Sequence, residues 1–209
     1  MRYFVIGVLA LAVTAGVACG EPAPTPTATR TPASELAVAP KPTPTVPPTL
    51  ALSPRPDSRA TREYELGLHF AEGGLLTLAL EAYSKAIELD STLAMAYAAR
   101  AHVYFLGDNL ELALGDANQA IELDPDLAIA HHNKGLVLVA AESDERALLS
   151  FSKAIELDPS LGDAYYNRAQ VHVTAGDTAR AVADLEQVLA LTENEALVEA
   201  ARELLSLAQ

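Results

Sequence analysis

The chain of 209 residues has no tryptophan, one cysteine and few aromatic residues. A single cysteine cannot form an internal disulfide, so Cys19 has no framework role. Proline is nearly missing from most of the length: eleven of 13 fall between Pro22 and Pro56, and only Pro125 and Pro159 follow Ala60, which places a boundary near residues 57–60. Basic residues are scarce in the same region. From residue 60 onward there are nine Lys/Arg against 25 Asp/Glu, a net charge of −16, whereas residues 1–59 carry five against three. An acidic surface repels phosphate backbones and anionic headgroups, so nucleic acid is excluded as an expected partner and direct docking of this region on a membrane is disfavoured. The plain role of such charge is solubility.

Chemistry-bearing motifs are missing as well. The sequence contains no glycine-rich phosphate loop, no Cys/His metal spacing and no G-x-S-x-G elbow. Of the five histidines, His131 and His132 are adjacent, and on a helix adjacent side chains point about 100° apart, so they do not form a ligand pair by themselves. His172 falls at a packing position. No catalytic residue, metal or cofactor is expected, and the chain does not read as an enzyme.

What is present begins with "MRYFVIGVLALAVTAGVACGE", one basic residue followed by an apolar run from Tyr3 to Ala18. That is the layout of a secretory signal. The run is short for a membrane span, which needs about 20 apolar residues. The small residues of "GVAC" before Cys19 resemble the lipobox of bacterial lipoproteins, with Gly16 departing from the Leu, Val or Ile of that pattern. The resemblance implies that residues 1–19 are a signal segment and that Cys19 carries a lipid; ordinary cleavage and a short uncleaved anchor are the alternatives. Residues 20–58 are rich in Pro, Thr and Ala and offer nothing to build a core. They read as a disordered tether, extended at about 3.1 Å per residue, with a cell-wall contact or a glycosylated stalk as alternatives.

Beyond the tether, "SKAIELD" at 84–90, "NQAIELD" at 118–124 and "SKAIELD" at 152–158 place Ile87, Ile121 and Ile155 at a constant spacing of 34 residues. A fixed period of this length signals a repeat architecture. Blocks 60–93, 94–127, 128–161 and 162–195 align without a gap, and each holds two helical patterns. Asp124–Pro125 and Asp158–Pro159 read as helix starts, with Asp as the cap and Pro in the first turn. Gly73–Gly74, Gly107 and Gly176 read as the stops of the first helices. Residues 196–209 read as one further helix that caps the last block, with Thr192 and Glu195 in capping-box spacing before it.

The blocks resemble the tetratricopeptide repeat (TPR) family. The small residue at the helix crossing is Gly67, Ala101, Gly135 and Ala169, and the alanine where the helices approach is Ala79, Ala113, Ala147 and Ala181. A large residue is found at Phe70, Tyr104 and Leu138, the family aromatic is met by Tyr97 and Tyr165 but replaced by Glu63 and His131, and the family proline matches Pro125 and Pro159. The resemblance implies an all-α fold, a right-handed TPR superhelix (α-solenoid) of four helix-turn-helix repeats plus the C-terminal capping helix. It further implies that second helices, with Glu81, Glu88, Glu122 and Glu156, form the outer side. First helices would line a groove for a protein or peptide partner. Its rows place Tyr64, His132 and Tyr166 together, then Leu68, His102, Leu136 and Gln170, then Phe105, with Asn133 and Asn167 beside them. No Lys or Arg stands in these rows, which sets aside a lysine clamp for a C-terminal carboxylate. The expectation is an adaptor held to the bacterial cell envelope by its lipid, or secreted; the alternative is an assembly component that docks through its faces or ends.

Overall fold

The computed structural model describes residues 58–192 and 194–208. Cys19, the signal segment and the tether lie outside them, as does Glu193. The described residues form nine helices and no strand: α1 Ser58–Glu72, α2 Leu76–Leu89, α3 Ala94–Leu106, α4 Leu110–Leu123, α5 Ala128–Ala140, α6 Asp144–Leu157, α7 Gly162–Thr174, α8 Thr178–Leu191 and α9 Glu195–Ala208. Odd and even helices pair into hairpins, and each hairpin packs on the next. Consecutive first helices, α1 with α3, α3 with α5 and α5 with α7, touch one another, whereas the second helices α2, α4, α6 and α8 do not. The stack is therefore an all-α superhelix with its first helices on the inner, concave side.

Alanine makes this closeness possible. Ala79, Ala113, Ala147 and Ala181 are fully buried, and so are Ala101 and Ala169 at the crossing. At the other two crossings a methyl group would be too much: a Cβ on Gly67 would collide with the Tyr83 ring, and one on Gly135 with the Phe151 ring. The small residue and the large one are one device, since close helix approach needs a gap that a ring then fills.

The turns differ from the sequence expectation in three respects. Asp124 and Asp158 do not start helices; they close α4 and α6, their N–H groups donating to Ala120 O and Ala154 O. Their side chains accept from the second residue onward, Asp126 N at 3.1 Å and Ser160 N at 2.9 Å, so the carboxylate builds an Asx turn and the next helix begins only at Ala128 or Gly162. Gly107 is not the left-handed residue of its turn. That conformation recurs at Gly74, Asp108, Glu142 and Gly176, with φ of 71°, 58°, 53° and 75°, so two repeats use non-glycine residues there. Finally, α9 is capped by Asn194, whose Oδ1 accepts from Ala196 N and Leu197 N, and not by Thr192, whose hydroxyl instead accepts from Asn194 N at 3.1 Å. The Asn side chain reaches the second and third N–H groups of the helix directly, which makes a capping box superfluous.

α9 packs on α8 and α7 and buries Leu197 and Ala201 against Leu185, Val188 and Ala169. Arg202, Glu199 and Glu203 remain exposed. It occupies the place of the next first helix and covers the apolar end of the stack.

Candidate protein-binding groove

On each first helix, residues spaced three or four apart share the face that looks along the concave side. On α3 this face holds Met95, His102 and Phe105; on α5 Ile129, Leu136 and Val139; on α7 Asp163, Gln170 and Val173; and on α1 Tyr64 and Leu68. Tyr64, Leu68, His102, Phe105, Leu136, Asn167 and Gln170 are half-buried: held by packing, yet open to an occupant. His102 and Phe105 lie ring to ring with centroids 6.3 Å apart.

Three of the ten expected groove residues are instead buried. Asn133 donates from Nδ2 to Ala98 O on α3 at 2.8 Å and thereby ties the second repeat to the third. His132 is 4 % exposed; its Nε2 meets Asn167 Nδ2 at 2.9 Å, its ring lies 5.8 Å from Phe151, and its Nδ1 has no partner among the described residues. Tyr166 belongs to the core under α9, and its hydroxyl accepts from Gln170 Nε2 at 3.2 Å. These three position the groove floor. Burial accounts for their electrostatics: it pushes the His132 imidazole down to about 4, with His102 adding to the effect, and lifts the Tyr166 phenol. Burial likewise lowers His102 and raises the Tyr64 phenol and the Asp163 carboxyl.

The side chains that the sequence reading passes over are Arg100, Asp116, Arg168 and Asp184. Arg100 on α3 donates twice to Asp116 on α4, at 2.7 and 2.9 Å, and once to Ser84 on α2 at 3.1 Å. Arg168 repeats the arrangement with Asp184 at 2.9 and 2.7 Å and Ser152 at 3.0 Å. Tyr97 and Tyr104 flank the first guanidinium and Tyr165 the second, at 5.7 to 5.8 Å from their ring centres. Each Arg therefore joins the two helices of its own repeat to the second helix of the one before. The usable signal was a spacing of 68 residues between equal residue types, twice the repeat.

Among the described residues no group of three metal-ligating side chains exists, and no helix is long and apolar enough to cross a membrane. The outer side offers one shallow cleft of about 430 Å³, bordered by Leu148, Leu149 and Arg180 over the Arg168–Asp184 pair. Leu149 is 72 % exposed there.

Two family models described as tetratricopeptide repeat match residues 98–162 and 150–183. Together the two models span residues 98–183, from α3 into α8. Solved structures agree with this at the level of the fold. A thermophilic TPR protein of Thermus thermophilus, TTC0263, superposes with a TM-score of 0.65 at 21 % identity, over 71 % of this chain and 82 % of that one. A MamA crystal structure matches with a TM-score of 0.56 at 26 % identity, over 66 % and 80 %. The first TPR of Spaghetti (RPAP3), bound to the HSP90 peptide SRMEEVD, matches with a TM-score of 0.53 at 22 % identity, over 56 % and 93 %. No curated protein sequence matches significantly.

Proposed function

We propose that the protein is a TPR adaptor that binds a segment of another protein in its concave groove, and that a lipid on Cys19 holds it to the outer side of a bacterial membrane by way of the Pro/Thr/Ala-rich tether. The observation that carries the binding reading is the groove itself. Tyr64, Leu68 and Leu136 pack against the core yet remain half-open, Phe105 is half-buried beside His102, and aromatic anchors of this kind can carry a large share of the binding energy of a protein interface. The acidic peptide bound by the RPAP3 domain is not carried over, because the groove face here has no Lys or Arg to receive it. Nucleic acid is disfavoured by the charge of −16 in residues 60–209.

Two experiments test the two halves. Phe105→Ala with Leu136→Ala should weaken a captured partner by about 2 kcal/mol or more while helix content is retained; normal binding by that variant would remove the groove from the mechanism. Cys19→Ser should move the protein from the membrane to the soluble fraction, and a wild-type protein that takes up no labelled fatty acid would remove the anchor. A second reading, an assembly component that docks through its outer side, has Leu149 in its favour, a large apolar side chain left open above a cleft. Loss of capture by Leu149→Glu alone would favour that reading.

A further inference from the structure

We infer that the occupant of the groove is a basic amphipathic helix, with an apolar stripe bordered on both sides by Lys or Arg. This rests on the groove reading above and adds the conformation and charge of the partner.

The conformation follows from hydrogen bonding. An extended peptide brings unpaired N–H and C=O groups, which its host must satisfy. Along this floor the side-chain amides are engaged: Asn133 donates to Ala98 O, Asn167 meets His132, and Gln170 donates to Tyr166. The remainder is largely Leu68, Phe105, Leu136, Val139 and Val173, which offer area and no polar atoms. A helix satisfies its own main chain and needs only area, as in other helix-in-groove complexes.

The charge follows from the edges. The hairpins run up and back, so all turns that leave the first helices share one edge of the stack, where Glu72, Asp108 and Glu142 stand and Asp177 is paired with Arg180 at 3.2 Å. The turns that lead into the first helices share the opposite edge, with Asp90, Asp124, Asp126 and Asp158. Neither set of turns contains a Lys or Arg. The first helices of 13 residues are roughly 20 Å long, so each edge lies about 10 Å from the groove axis, within the reach of a Lys or Arg side chain extending from a bound helix. On the floor itself, Asp163 shares the groove face of α7 with Gln170 and Val173, is half-buried, and has no ion pair among the described residues. Burial raises its carboxyl, the condition that a cation brought by a partner would relieve.

The test is a display library of about 20-residue peptides, roughly the length needed to cross the stacked first helices. Apolar residues are fixed at helical spacing, the bordering positions are randomised, and selection is on the full chain. Lys and Arg should rise at least about threefold over the starting library at positions on both sides of the stripe. A central proline should cost a selected peptide about tenfold or more in affinity, because it breaks the helix. The exposed rim variant Glu72→Lys/Asp126→Lys, which touches no packing, should weaken the selected peptides about tenfold. Acidic or neutral borders, or tolerance of proline, would overturn the inference while leaving the groove reading intact, provided that the selected peptides lose affinity for Phe105→Ala/Leu136→Ala. If nothing is enriched, or if that groove variant binds the selected peptides as well as the parent does, the groove reading falls with it.

Discussion

Odd and even repeats close the same hairpin by different chemistry. In the first and third, a bare Gly67 or Gly135 receives the ring of Tyr83 or Phe151, and a second ring, Tyr64 or His132, lies 5.9 or 5.8 Å from it. In the second and fourth, Ala101 and Ala169 leave no room for a ring at that point, Ala117 and Leu185 replace it, and the hairpin is bound at its outer edge by Arg100–Asp116 or Arg168–Asp184. The serine that each Arg also reaches, Ser84 or Ser152, belongs to the preceding odd repeat. The third repeat has Lys134 and Ser150 at the corresponding places, and the Ser150 hydroxyl turns back to Arg146 O at 3.0 Å. The structural unit is thus a pair of repeats, 68 residues long, and the junction between the two pairs relies on Asn133 to Ala98 O in place of a guanidinium. A repeat of 34 residues sets the backbone; which forces close it is open to choice.

The widest break in that comparison should come from the ring. Phe151→Ala leaves a void between α5 and α6 and should cost about 3–5 kcal/mol in denaturant melts. Adding Gly135→Ala to it converts the odd solution toward the even one, and part of the loss should return; if the double variant is worse than the single, the two solutions are not interchangeable. Next comes the ion pair. Asp184→Ala strands a largely buried guanidinium and should cost about 3 kcal/mol, whereas Arg168→Met with Asp184→Leu should cost less, since no charge is left unpaired.

Of similar or smaller size is a dependence on pH to which the second ring of the third repeat should contribute most. The His132 imidazole falls to about 4 in the fold from its ordinary 6.5, so below 6.5 the unfolded chain takes up a proton that the folded one refuses. Stability from this source is complete above pH 6.5 and is lost as pH falls toward 4, by up to about 3 kcal/mol. His102 and His172 are lowered by burial too and add in the same direction. Melts of His132→Leu across that window should be flatter than those of the parent; an equal slope would place the effect elsewhere. The smallest change is expected at the surface, where Leu149→Ser should stay within about 0.5 kcal/mol and leave groove binding untouched.

The period of 34, the two helices per block, the close-packed alanines and the groove rows without Lys or Arg were all written in local residue types, because each follows from helical spacing or from the kind of one side chain. The half-open floor was legible for the same reason: Leu68, Phe105 and Leu136 fall on one helix face whatever surrounds them. Other features depended on neighbours brought close in three dimensions. That His132 is sealed and Asn133 spent on a carbonyl 35 residues away depends on how tightly α3, α5 and α7 are drawn together. Arg100 and Arg168 looked like ordinary surface charges in the sequence; closure of their own hairpin supplied an aspartate 16 residues ahead, and stacking on the hairpin before it a serine 16 residues behind. Side-chain size and spacing act along the chain and can be read there; the pairing of polar groups is decided by how each hairpin closes and packs on its neighbour, since burying a charge is tolerable only where its partner already waits.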